Sequence, residues 1–451
     1  MKAVARKAGG TSLEHRLQSD NFRIAERDVT AQIYVLRDKA SRLSPKSASM
    51  TATPRYRTQT EPAVLSAGFR PFFLAGSVWA AVAIPLWLEI YFGRAMLPTL
   101  LQPTVWHAHE MVFGFAAATV AGFLLTAIPN WTGRMPLQGG PLALLVGLWA
   151  IGRIAVLCSE QLRAPVAAVA DLSFPAVFLA VIAREILAGR NWRNLPMLGV
   201  LGLLLAGNVL VHLEALGIAD TAAIGNRLGI ATLLILISLV GGRIVPSFTR
   251  NWLAKNRPGH PLPMPESDLD RTALIIVVVG VLSWAASAET WFTGWLMLAA
   301  GAAVALRLSR WRGFYALREP LLLILHVGYG WLAVGLLLLG ADGIFEFLPA
   351  TAALHALTVG AIGTMTLAVM TRASLGHTGR PLTAGPITKI IYGLITAAAV
   401  LRFLSPLASD HLELTLWLAG AAWSGAFGLF AVFYGTALAQ PRVRDTSATP
   451  I

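Results

Sequence analysis

From Gly68 onward the chain is a succession of apolar runs of roughly 18–24 residues, each long enough to cross about 30 Å of hydrocarbon as a helix. Inside lipid every backbone N–H and C=O needs a partner, and a helix supplies it within one segment. Twelve such runs are present, at residues 70–91, 106–128, 140–158, 164–187, 196–216, 224–242, 272–288, 291–308, 319–341, 350–373, 386–406 and 411–437. The expected fold is an all-α membrane protein with about twelve transmembrane helices. Tight joins at Thr290 and at residues 159–163 make eleven or thirteen the alternative counts.

Composition agrees with that reading. Charged residues are 13% of the 451, against about 25% in soluble domains. This excludes a soluble enzyme, a disordered regulator and a nucleic-acid binder. The net charge of +13 reflects orientation in a membrane. With the N-terminus inside, the inner connections hold 18 Lys and Arg and the outer ones hold 4, namely Arg94, Arg163, Arg227 and Arg402. Twelve spans with both termini cytoplasmic satisfy this asymmetry, and losing one helix would scramble it. Cys158 is the one cysteine, so no intramolecular disulfide or CxxCH haem attachment exists.

Three parts follow: a basic arm at 1–65, a twelve-helix domain at 66–440 and a short cytoplasmic tail at 441–451. The arm carries 12 Lys and Arg against 6 Asp and Glu, and lacks the apolar core of a signal peptide. It is expected to be disordered and cytoplasmic. Met50 lies 18 residues before Gly68 and is an alternative start.

Runs 2, 6 and 10 end alike. His109 to Thr132 and His355 to Thr378 are both 23 residues, and Asn226 to Thr249 fits the same frame. Runs 1, 5 and 9 each begin with an Arg shortly before a Pro: Arg70-Pro71, Arg193 before Pro196, and Arg318 before Pro320. Helix ends attract Arg, Pro and Gly in any case, but a His at matched positions is not explained that way. Three pseudo-repeats of four helices are the expected organisation.

A charge within lipid costs about 2.5 kcal/mol or more, so intramembrane ionisable residues need partners or roles. Imidazole is a common nitrogen ligand of haem iron and copper, and it survives in lipid uncharged. His109 and His355 are the leading candidate metal ligands, with His326, His107 and His212 beside them. In His107-Ala108-His109 the rings point to opposite sides of a helix, so the pair would serve two centres. Glu110, three residues after His107, is expected to orient that ring. Arg153 and Arg402 are candidate partners for haem propionates or an anionic substrate. For each histidine the ordinary alternative is an interhelical hydrogen bond.

The segments GFRPFFLAG (68–76), WHAHEMVFGF (106–115), GFLLTAIPNWTGR (122–134) and LGHTGRPL (375–382) resemble the NnrS family, and the likeness spans Gly68 to about Leu438. The resemblance implies a haem- and copper-containing protein of the bacterial inner membrane, linked to denitrification and to tolerance of nitric oxide and nitrosative stress. It does not carry a ligand set residue by residue. There is also a distant likeness to the catalytic subunit of haem–copper oxidases, with twelve helices in three groups of four. The chain lacks that subunit's adjacent His-His pair and His-x-x-x-Tyr motif, which speaks against oxygen reduction. The expected function is thus a haem/copper redox protein acting on nitric oxide or a related nitrogen species, with quinol or another donor supplying electrons. The alternatives are a transporter or metal/haem-handling protein and, third, a structural scaffold.

Overall fold

A computed structural model describes residues 62–288 and 290–443. The arm as far as Glu61, Met50 within it, and the tail from Arg444 lie outside the described residues. Twelve helices are long and apolar enough to span a membrane. They are α1 (Phe69–Tyr91), α2 (Pro103–Thr132), α3 (Gly139–Leu157), α4 (Ala164–Ala188), α5 (Trp192–Ala215), α6 (Ala222–Asn256), α7 (Asp268–Ala286), α8 (Trp291–Ser309), α9 (Pro320–Phe345), α10 (Ala350–His377), α11 (Pro386–Leu407) and α12 (Ser409–Ala439). The chain is a multi-pass helical membrane protein.

Local signals set most boundaries. Pro occupies the first turn of several helices, where its missing N–H costs nothing. Ser267 and Asp270 form a reciprocal cap at the start of α7, and Thr290 accepts from the Thr293 N–H to start α8. That cap is why so short a join separates two helices. Gly133, in the left-handed conformation, ends α2. The sixth helix outruns its expected end at 242 by fourteen residues, reaching Asn256. Its extension is amphipathic: Val245, Thr249 and Leu253 are buried at four-residue spacing, while Arg243 and Arg250 are exposed.

The helices α2, α6 and α10 are the most buried and touch one another at the centre. Each contains a π-helical stretch, at Glu110–Ala116, Ile237–Gly241 and Ala356–Gly363. A π turn adds a residue to the helical turn and shifts the phase of all later side chains. The other nine helices surround this trio, with α4 against α5, α8 against α9 and α12 against α1.

Small residues set the closest approaches. Gly207 of α5 and Gly225 of α6 face each other so tightly that a Cβ at Gly225 would lie 2.5 Å from the Gly207 carbonyl oxygen. Backbone cannot yield as a side chain can. Gly225→Ala is therefore expected to push the helices apart and cost about 1–3 kcal/mol, read as a lower unfolding temperature in detergent. An unchanged midpoint would show that the crossing has slack.

Candidate functional site

Two clusters of ionisable groups are built on α2, and neighbouring residues of that helix feed both. The first is a buried polar knot between α1, α2, α3, α4 and α5. His109, with no exposed surface, places Nε2 3.1 Å from Asp171 Oδ2 and 2.9 Å from Asn208 Oδ1, while its Nδ1 lies 3.2 Å from Glu110 Oε1. His212 Nε2 reaches the same Asp171 oxygen at 2.9 Å, as does the Asn208 amide N–H at 2.9 Å. Arg153 ties the two carboxylates together, donating to Glu110 Oε2 at 2.7 Å and to Asp171 Oδ1. Trp79 Nε1 also donates to Glu110 Oε2, at 2.8 Å.

Charges taken this far from water stay only if paired and hydrogen-bonded, and nearly every polar atom of the knot has a partner. Space for it comes from glycines: a Cβ at Gly114 would crowd Glu110 Oε2 at 2.7 Å, and one at Gly152 would crowd Asp171 Oδ1 at 2.8 Å. His109, Asp171 and His212 bring one ligand atom each within 4.8 Å of one another, the geometry of a group able to hold a metal ion. Counting Glu110, Asp171 and Arg153, the knot carries a formal charge of −1 when both imidazoles are neutral.

The second cluster lines a cavity of about 640 Å³ bounded by α1, α2, α6, α10, α11 and α12. His107, His355 and Arg402 are its ionisable residues, and Tyr91 and Met111 also face it. His107 stacks on Trp87 with ring centres 4.7 Å apart, and its buried Nδ1 has no hydrogen-bond partner. His355 directs Nδ1 to the Thr351 carbonyl at 2.7 Å, which leaves Nε2 for another ligand. Arg402 Nη1 is buried and unpartnered. Orphaned donors and acceptors around an apolar cavity are unusual and call for an occupant.

A sequence model described as NnrS protein matches residues 63–442. The chain belongs to the NnrS family. No curated protein matches it.

In this NnrS-family chain the sequence-predicted residues divide differently from their expected grouping. His107 and His109 do enter separate sites, but His109 and His355, matched in spacing, are not brought together. His355 shares its cavity with His107, and His109 shares the knot with His212. The reason lies in the acceptors around each ring, Asp171 from α4 and the residue that follows the histidine. Glu110 follows His109 and accepts from it, whereas Ala356 follows His355 and offers no acceptor. Glu110 was expected to orient His107, yet it binds His109, Arg153 and Trp79. Arg153 of α3 and Trp79 of α1, both donating to Glu110 Oε2, draw that carboxylate toward the knot. Arg153, expected at a propionate or substrate, is committed to two carboxylates, whereas Arg402 stands in the cavity with a free donor. His326 joins neither group: Nδ1 lies 2.9 Å from the Leu322 carbonyl and Nε2 3.5 Å from Thr249 Oγ1.

Asp171 and Asn208 are the site residues that sequence reasoning missed. A lone Asp in the middle of an apolar run was the available signal, since an isolated carboxylate in lipid is costlier than a histidine.

Proposed function

We propose that this protein is a haem/copper redox protein of the bacterial inner membrane, both termini cytoplasmic, acting on nitric oxide or a related nitrogen species. The cavity of about 640 Å³, lined by His107, by His355 with its Nε2 left open and by Arg402, carries the reading. These residues fit haem: two imidazoles as iron ligands, an apolar wall for the ring and a guanidinium for a propionate. The knot fits copper. Imidazole suits copper, and His109, His212 and Asp171 each bring a ligand atom within 4.8 Å of the others. His109, Asp171 and His212 would hold it, with Glu110 orienting His109 through Nδ1 from outside. When bound, haem iron held by two imidazoles would supply one-electron transfer, and copper a coordination position for a small nitrogen oxide.

The chain's own part is to bind and insulate. Trp87 fixes the His107 ring, the apolar wall excludes water, and Arg153 holds Asp171 in place. Arg402 sets the orientation of an acidic ring edge. Quinol diffusing through lipid is the proposed electron donor.

Purified protein is expected to contain haem and copper, with a Soret band whose redox spectrum changes on adding nitric oxide. A colourless, copper-free protein that moves a solute across liposomes would replace this reading with transport or metal/haem handling. The observation favouring that second reading is the run of cavities along α2, α6 and α10. The histidine cavity and a small one of about 90 Å³ share Leu233 and Ile362.

A further inference from the structure

A second wide cavity lies at the opposite end of the central helices from the histidine cavity. It measures about 840 Å³ and is walled by α1, α2, α5, α6, α9 and α10. Arg193, Arg243 and Arg372 line it, one each from α5, α6 and α10, joined by His377; no carboxylate does. Several other arginines of the fold carry their own acid. Arg153 and Arg307 are each matched by an acid, and Arg134 pairs with Glu185 at 2.5 Å. Arg193 and Arg243 make no ion pair or hydrogen bond among the described residues, and Arg372 lies 4.1 Å over the Phe248 ring. Glu319 is close enough to interact with Arg372, so the unmatched charge is that of Arg193 and Arg243. Guanidiniums converging on one space without a matching acid raise its potential and draw in an anion.

The remaining wall narrows the choice of anion. Deep to the arginines it is apolar, with Phe73, Phe123, Leu325 and Val369. Beyond lies the cavity of about 90 Å³, lined by aliphatic and aromatic side chains, glycine, methionine and two threonines. A charged group gains no partner in that neck and does not pass. The wide cavity is therefore a vestibule with a cationic rim and an apolar floor, closed to charged groups at its inner end.

We propose that this vestibule binds an amphipathic organic anion. A phosphate or carboxylate head is held by Arg193, Arg243 and Arg372 through charge-assisted hydrogen bonds, and an apolar body lies against Phe73, Phe123 and Leu325. The head chemistry is common to an anionic lipid and to a water-soluble amphipathic acid. The site is independent of the histidine cavity and of any metal.

The test uses the full chain in nanodiscs of phosphatidylcholine, titrated with dodecyl phosphate and followed by tryptophan fluorescence, since Trp131 lies in the wall. Saturable quenching is expected, with Kd raised at least tenfold in the double variant Arg193→Gln/Arg243→Gln and largely restored in Arg193→Lys/Arg243→Lys. Because neither arginine has a protein partner, the double variant should melt at the wild-type temperature, which separates lost binding from lost folding. Dodecyltrimethylammonium, with the same tail and a cationic head, should not quench, and inorganic phosphate should bind far more weakly. Phosphatidylglycerol in the nanodisc identifies the source: competition assigns the bilayer, and undiminished binding assigns a soluble acid. Equal affinity of wild type and the Gln variant, equal binding of the cationic surfactant, or a signal that survives Trp131→Phe would overturn the proposal.

Discussion

Arg153→Met is expected to lower stability by about 3–5 kcal/mol, the largest effect of any single change considered for this protein. The guanidinium is the one cation between Glu110 and Asp171, both essentially without solvent exposure. Without it two buried carboxylates are left in a low-dielectric interior with no guanidinium to offset their charge. Truncating one partner of a buried pair therefore costs far more than the intact pair contributes. The triple variant Arg153→Met/Glu110→Gln/Asp171→Asn removes all three charges and keeps amide donors and acceptors. It is expected to recover most of the lost stability. Both are read from the yield of monodisperse protein and its unfolding temperature in detergent. If the triple variant is no more stable than Arg153→Met, the penalty comes from packing and not from stranded charge.

Replacing histidines singly is expected to split the two centres. His107→Ala and His355→Ala should each abolish the haem signal, because both line the same cavity and neither has a substitute there. His109→Ala and His212→Ala should keep haem and lose copper, since their nitrogens meet at Asp171 in the knot. His326→Ala should leave both contents unchanged, because its ring bonds only to the Leu322 carbonyl and Thr249. Haem by pyridine haemochrome and copper by elemental analysis on each purified variant decide the matter. Loss of haem in His109→Ala with retention in His107→Ala would reverse the assignment.

A second buried pair shows the same design without histidine. Arg307 Nε donates to Asp270 at 2.9 Å, and Nη1 donates to the Ser238 carbonyl at 2.8 Å and the Tyr329 hydroxyl at 3.0 Å. By position Arg307 counts among the basic residues of an inner connection. In the fold it is buried between helices, so its role is structural as well as topological. Arg70 likewise is no mere flanking cation: it donates to the carbonyls of Leu438 at 2.7 Å and Gln440 at 2.6 Å, closing the end of α12 onto α1.

Length and hydropathy are properties of a single segment, so the amino-acid order alone determined twelve spans, their limits to within a few residues at most ends, and the set of ionisable groups within them. It also placed His107 and His109 on opposite sides of one helix, since a regular helix fixes that angle. Which groups meet was decided by the tertiary structure. The phase shift at each π-helical stretch, the rotation of α4 that turns Asp171 inward and the approach of α11 that carries Arg402 to His107 and His355 depend on packing between distant segments. Spacing along the chain paired His109 with His355. A carboxylate from α4, reachable by one ring and not the other, separated them.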